Sequence, residues 1–78
     1  MQRKDINNIE VCQAVQEYQH DRGKSSCEIL AEKFSCDEKL AYSVCERAED
    51  DGLIDYGVSL RTGWLTEKGE QLLNSSKK

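Results

Sequence analysis

Three stretches of the chain repeat one spacing, with apolar residues at i, i+3, i+4 and i+7. They are Val11, Ala14, Val15 and Tyr18; Cys27, Leu30, Ala31 and Phe34; and Ala41, Val44, Cys45 and Ala48. At 100° per residue each set lines one side of a helix. Each stripe needs a partner, and three short helices can bury one another. After Gly52 the period drops to two. Ile54, Tyr56, Val58 and Leu60 alternate with Asp55, Gly57, Ser59 and Arg61, which predicts a strand with one wet face and Tyr56 on the core side. Arg61-Thr62-Gly63 reads as a turn and Trp64-Leu65 as a short return strand, with Trp64 anchored in the core. Leu72 and Leu73 bring a last helix back to the same core.

Chemical markers set the boundaries. The first helix starts around residues 5 to 8, where Asp5, Asn7 and Asn8 can cap, and ends near Asp21-Arg22-Gly23. Ser25 with Glu28 is a capping box for the second helix, which runs to about Phe34. Ser35 with Glu38, or Asp37 alone, can cap the third. That helix reaches Asp51, and Gly52 closes it. Thr66 caps a helix from Glu67 to about Leu73, followed by a frayed polar tail, Asn74 to Lys78. Ile6 and Ile9 fall off the first stripe. Folding of the N-terminal turn onto Leu72 and Leu73 accounts for them, and a dimer contact is the competing reading. A lone hairpin is marginal in water, so the strands must pack on the helices. The expectation is one α+β, mainly α domain over residues 1–78, with its core at about 6–73. It has a three-helix core, a two-stranded β wing and a short C-terminal helix, the winged helix-turn-helix arrangement.

Seventy-eight residues, 37% of them apolar, suffice for one small core and not for a deep substrate cavity as well. An interaction module is therefore expected rather than an enzyme. No apolar run approaches the roughly 20 residues of a membrane span, and no apolar segment follows Met1-Gln2-Arg3-Lys4-Asp5, so neither membrane insertion nor secretion is expected. A cytoplasmic, reducing setting follows. Cys12, Cys27, Cys36 and Cys45 form no C-x-x-C pair, and the single histidine, His20, stands alone. Three of the four cysteines fall where a helix-turn-helix wants an apolar residue, and Cys12 borders a stripe. Buried thiols are therefore expected over disulfides or metal ligands. With no glycine-rich phosphate loop and no paired carboxylates, no cofactor is expected either.

Leu30-Ala31-Glu32-Lys33-Phe34-Ser35-Cys36-Asp37, then the third helix and Asp51-Gly52-Leu53-Ile54, resembles the winged helix-turn-helix DNA-binding domains of bacterial transcription regulators. In these the second helix typically reads "LAEKLG", and the third closes on an acidic residue, glycine, leucine and isoleucine. Trp64-Leu65-Thr66-Glu67-Lys68-Gly69 is similar to the "LTEKG" that ends the wing and opens the last helix in that family. The resemblance covers residues 9 to 73. It implies a bacterial or phage regulator that binds double-stranded DNA, as a dimer, with the third helix in the major groove. By that resemblance Lys39, Tyr42 and Ser43 touch base edges or phosphate, with Arg47 on the flank. Ser25 and Ser26 hold a phosphate at the second helix's N-terminus, and Arg61 and Thr62 sit at the wing tip.

Charge complicates this expectation. The formal net charge is −4, and residues 37–51 alone carry it, with six acids against Lys39 and Arg47. The excess lies on the element that would approach a polyanion, where phosphate neutralisation supplies much of the affinity. A second function is therefore expected as the alternative. A winged helix can be a protein-interaction module whose Glu38, Glu46 and Asp50 dock on a basic protein partner.

Overall fold

The structure is a computed structural model; it describes residues 2–21 and 23–76, apart from the side chains of Arg3 and Arg61. Its helices are α1 (Asn8–His20), α2 (Ser26–Phe34), α3 (Glu38–Asp50) and α4 (Glu67–Ser76). Two short strands, β1 (Ile54–Asp55) and β2 (Trp64–Leu65), pair antiparallel, with Ile54 opposite Leu65 and Asp55 opposite Trp64. Single 3-10 turns occupy Arg3–Asp5 and Leu60–Thr62. The domain is thus mainly helical with one small sheet. None of its described helices is long and apolar enough to cross a membrane.

Each helix begins on a side-chain cap. Asn7 Oδ1 accepts the Glu10 N–H at 2.9 Å, and Asp37 Oδ1 accepts that of Leu40 at 2.8 Å. Thr66 Oγ1 accepts the Gly69 N–H at 3.2 Å. Ser25 Oγ accepts from Glu28 N–H at 3.3 Å, and its hydroxyl lies 3.4 Å from Glu28 Oε1. A cap of this kind is worth about 1 kcal/mol. Of the two ways to open α3, Asp37 is the one used. Ser35 instead closes α2 in the left-handed region (φ 51°, ψ 43°), and Cys36 N–H then reaches back to the Ala31 carbonyl at 3.0 Å. Gly52, at φ 78°, closes α3.

The predicted stripes meet in the interior. Val11, Cys27, Leu30, Ala41, Val44, Cys45 and Ala48 are all 0% exposed, and Leu53, Ile54, Leu60, Leu65 and Leu73 complete the core. Ile6 is also 0% exposed, and the turn before it lies against α3. Ile6 is therefore a core position, reached by the folding-back of the N-terminal turn, with Ile9 half-buried against the same core. All four cysteines are free thiols; three are buried and Cys36 is half-buried. Cys27 and Cys45 Sγ lie 3.9 Å apart. This hydrogen bond, with burial, pushes the Cys45 thiol up, and burial takes Cys12 from the ordinary 9.0 to about 11.

The hairpin departs from the expected long strand. β1 stops after Asp55 because its partner is only two residues long. The Leu60–Thr62 turn consumes the return segment, with Thr62 and Gly63 N–H donating to the Ser59 and Leu60 carbonyls at 3.1 and 3.2 Å. Without a facing strand the alternation at 56–60 has no ladder to join. Tyr56 is 41% exposed and Val58 100%, whereas Leu60 reaches the core from the turn. Trp64 does not anchor the hairpin. Its register partner is Asp55, on the wet face, and it is 44% exposed, while Ile54 and Leu65 take the core side. At the other end α4 runs past Leu73 to Ser76, so Asn74, Ser75 and Ser76 are helical rather than frayed. Lys77 and Lys78 lie outside the described residues.

Candidate nucleic-acid interface

The turn Ser35-Cys36-Asp37 carries the chain from α2 into α3 in three residues, and the two helices pack directly on each other. This fixes which side of α3 faces out. Ala41, Val44, Cys45 and Ala48 are buried against the other helices. One hundred degrees per residue then turns Lys39, Tyr42, Ser43 and Glu46 outward. With Glu38 they line a shallow depression of about 550 Å³. Glu38, Lys39 and Glu46 are exposed, and Tyr42 and Ser43 are half-buried. The Ser43 hydroxyl donates to the Leu40 carbonyl at 2.7 Å. Its proton is committed within the helix, which leaves the oxygen as an acceptor and not as a donor to phosphate.

Two of the expected contact residues lie elsewhere. Ser26 is 1% exposed and packs with the core beside Cys45, so its hydroxyl does not reach the surface where a phosphate would sit. The sequence held a signal for this, since Ser26 precedes Leu30 by four residues on the same helix face. Arg47 faces the N-terminal segment. Its Nε donates to Asn8 Oδ1 at 3.0 Å and its Nη2 to the Ile6 carbonyl. That guanidinium is a clamp rather than part of the outer face. Its partners, 39 and 41 residues away, left no local signal beyond its flanking position.

The remaining expected residues are placed as follows. Ser25 sits at the α2 N-terminus, half-buried, within its cap. Thr62 is exposed in the Leu60–Thr62 turn, its hydroxyl donating to the Ser59 carbonyl at 3.1 Å. The Arg61 side chain lies outside the described residues.

Of the six acids at residues 37–51, Asp37 and Asp51 flank α3 and bond at its ends, and Glu49 is half-buried. Asp37 caps the helix. Asp51 accepts from Asn8 Nδ2 at 2.8 Å, and its carbonyl accepts from Lys68 Nζ at 2.8 Å. Glu38, Glu46 and Asp50 remain exposed. With Arg47 turned inward, Lys39 is the one cation on the outer face of α3 among the described residues.

A second, larger concavity of about 670 Å³ lies between α1 and α2, lined by residues that include Glu17, His20, Lys24 and Ile29. Lys24 Nζ bonds both Glu32 carboxylate oxygens at 2.6 Å, which raises the lysine pKa. Both partners are more than half exposed, so the pair adds little stability. The sequence reading overlooked this groove because it is made by two helices separated by a turn. Among the described residues no group of three or more His, Cys, Asp or Glu side chains is placed to hold a metal ion. Comparison with protein-family models, curated proteins and solved structures finds no match to this chain.

Proposed function

We propose that this chain is a small cytoplasmic winged helix DNA-binding protein, a transcriptional regulator that lays the start of α3 in the major groove. One observation carries the reading. The first two turns of α3 present Lys39, Tyr42 and Ser43 in a single open depression, while the opposite face of the same helix is wholly buried. A helix held by its back, reached through a three-residue turn and open along its N-terminal half, is the geometry that reads base edges in helix-turn-helix domains. In this reading the β1–β2 hairpin serves as a short wing, and the Ser25 end of α2 offers backbone amides to a phosphate. Lys39 neutralises phosphate or donates to guanine, and Tyr42 donates from its hydroxyl.

One observation favours a second reading. Arg47 is occupied, and among the described residues Lys39 is the single cation beside the exposed Glu46 and Asp50 on the outer face. Such a face also suits a basic protein partner. Amide chemical shifts of the labelled protein, recorded with a pool of random duplexes at low salt, separate the two readings. DNA binding predicts shifts on residues 38–46 and 61–62 and an affinity that falls with salt. With so few cations, the slope of log K against log salt is expected at about −2 to −3. No shift at low salt overturns DNA binding. A basic peptide pool that moves the same residues, and loses its effect in Glu46→Lys, establishes the alternative.

A further inference from the structure

Lys39 and Glu46 stand on one line of α3. Seven residues at 100° fall 20° short of two full turns, so both side chains project from the same face, about 10 Å apart along the axis. Both are exposed and border the same depression, with the half-buried Tyr42 between them. Neither makes a hydrogen bond or ion pair with another described residue. The face therefore offers a cationic donor and an anionic acceptor at a fixed spacing.

Resting on the DNA-binding reading above, we infer that Lys39 and Glu46 form a two-point reader of guanine and cytosine. Lys39 donates to guanine O6 and N7, and Glu46 accepts from the cytosine N4 amino group. The two positions lie two or three base pairs apart, because base pairs rise about 3.4 Å each and the helix spans about 10 Å between the two side chains. The carboxylate also acts by exclusion. Guanine offers only acceptors in the major groove, thymine an acceptor and a methyl group, and adenine an acceptor beside its amino group. A carboxylate there is repelled by the acceptors and is satisfied fully only by cytosine. Glu46 thus lowers affinity for most sequences and raises the contrast between right and wrong sites. Ser43 cannot replace Lys39 as the donor, since its proton is held by the Leu40 carbonyl.

The test is selection of bound sequences by the full chain from a randomised duplex pool at low salt, repeated with two variants. The wild type is expected to enrich a guanine and a cytosine position two or three base pairs apart. Each wrong base is expected to cost roughly tenfold in affinity. Lys39→Ala is expected to erase the guanine preference and leave the cytosine. Glu46→Gln is expected to convert the cytosine position to adenine, because an amide bonds adenine N6 and N7. Both substitutions are at exposed positions, and an unchanged melting temperature confirms that each variant folds. A wild type that binds DNA without this paired preference, or a Glu46→Gln variant that selects the same sequences as wild type, overturns the inference and leaves the DNA-binding reading standing. Absence of binding by all three proteins overturns both.

Discussion

The Arg47 guanidinium donates to the main-chain carbonyl of Ile6, 41 residues away along the chain. The same side chain bonds Asn8 Oδ1 at 3.0 Å, and Asn8 passes the connection to Asp51 at 2.8 Å. The N-terminal segment is held on α3 by this chain of bonds, with Ile6 inserted in the core. Arg47→Ala removes two charge-assisted bonds in a partly buried place. It is expected to destabilise the fold by about 2 kcal/mol, or roughly 8–16 °C in melting temperature, measured by thermal or urea denaturation. A loss of DNA affinity with full stability would instead place Arg47 at the interface.

At Gly69, α4 leaves no room for a side chain against the loop after α3. A Cβ there would lie 2.2 Å from the Leu53 carbonyl oxygen, a backbone atom with no freedom to swing aside. That oxygen is also bonded by Thr66 N–H at 3.0 Å, so relief requires moving α4 as a unit. Gly69→Ala is expected to cost more than about 2 kcal/mol, although alanine is the better helix former by about 1 kcal/mol. A variant as stable as wild type in urea would contradict this packing.

The thiols should react in two classes. Cys36 is half-buried, whereas Cys12, Cys27 and Cys45 are enclosed. A thiol reagent at pH 8 is expected to modify one cysteine quickly and the other three only as fast as the protein opens. Peptide mapping identifies the fast residue.

Cys12 also makes stability depend on alkaline pH. Its folded-state pKa of about 11 exceeds the ordinary 9.0, so the native state keeps the proton longer than the unfolded chain. Its contribution is complete below about pH 9 and is lost as pH rises to about 11, on the order of 2–3 kcal/mol. Unfolding free energies at pH 8 and pH 11 are expected to converge in Cys12→Ala relative to wild type. An equally steep fall in the variant assigns the loss to other groups.

The hairpin offers a spectroscopic check. Trp64, the single tryptophan, is 44% exposed. Its native emission is expected to lie near that of a solvated indole and to be quenched readily by acrylamide. Val58→Asp, at a fully exposed position, is expected to change stability by less than about 0.5 kcal/mol. A blue-shifted, protected indole would restore Trp64 as a core anchor.

What the sequence disclosed, and what it hid, follows from the range of each interaction. Asn7, Ser25, Asp37 and Thr66 were readable as caps because a cap closes within three residues. The three helical stripes were readable because periodicity is local. Tyr56, Val58 and Trp64 were misread for the opposite reason. Alternation describes a strand's own faces but not the length of the strand opposite, and β2 is two residues long. Ser26 and Arg47 were assigned to the surface by analogy with their positions in a helix-turn-helix. The first opens α2 with its side chain buried, and the second meets residues some forty positions away. At the α3 face, Lys39, Tyr42, Ser43 and Glu46 were legible from the 100° rule alone. That Asp51 would be engaged was not, because its partnership with Asn8 is tertiary.

The bonds at the two ends of α3 bear on how the chain meets a partner. Asp37 fixes the first turn, and the Arg47, Asn8 and Lys68 bonds fix the last. The entropy of ordering this helix is spent during folding, so association need only immobilise a few exposed side chains. Under the proposed function, complex formation is then a rigid docking. Under that same function, partners would differ chiefly in how long they stay, with the few groups of the Lys39–Glu46 face setting that residence time.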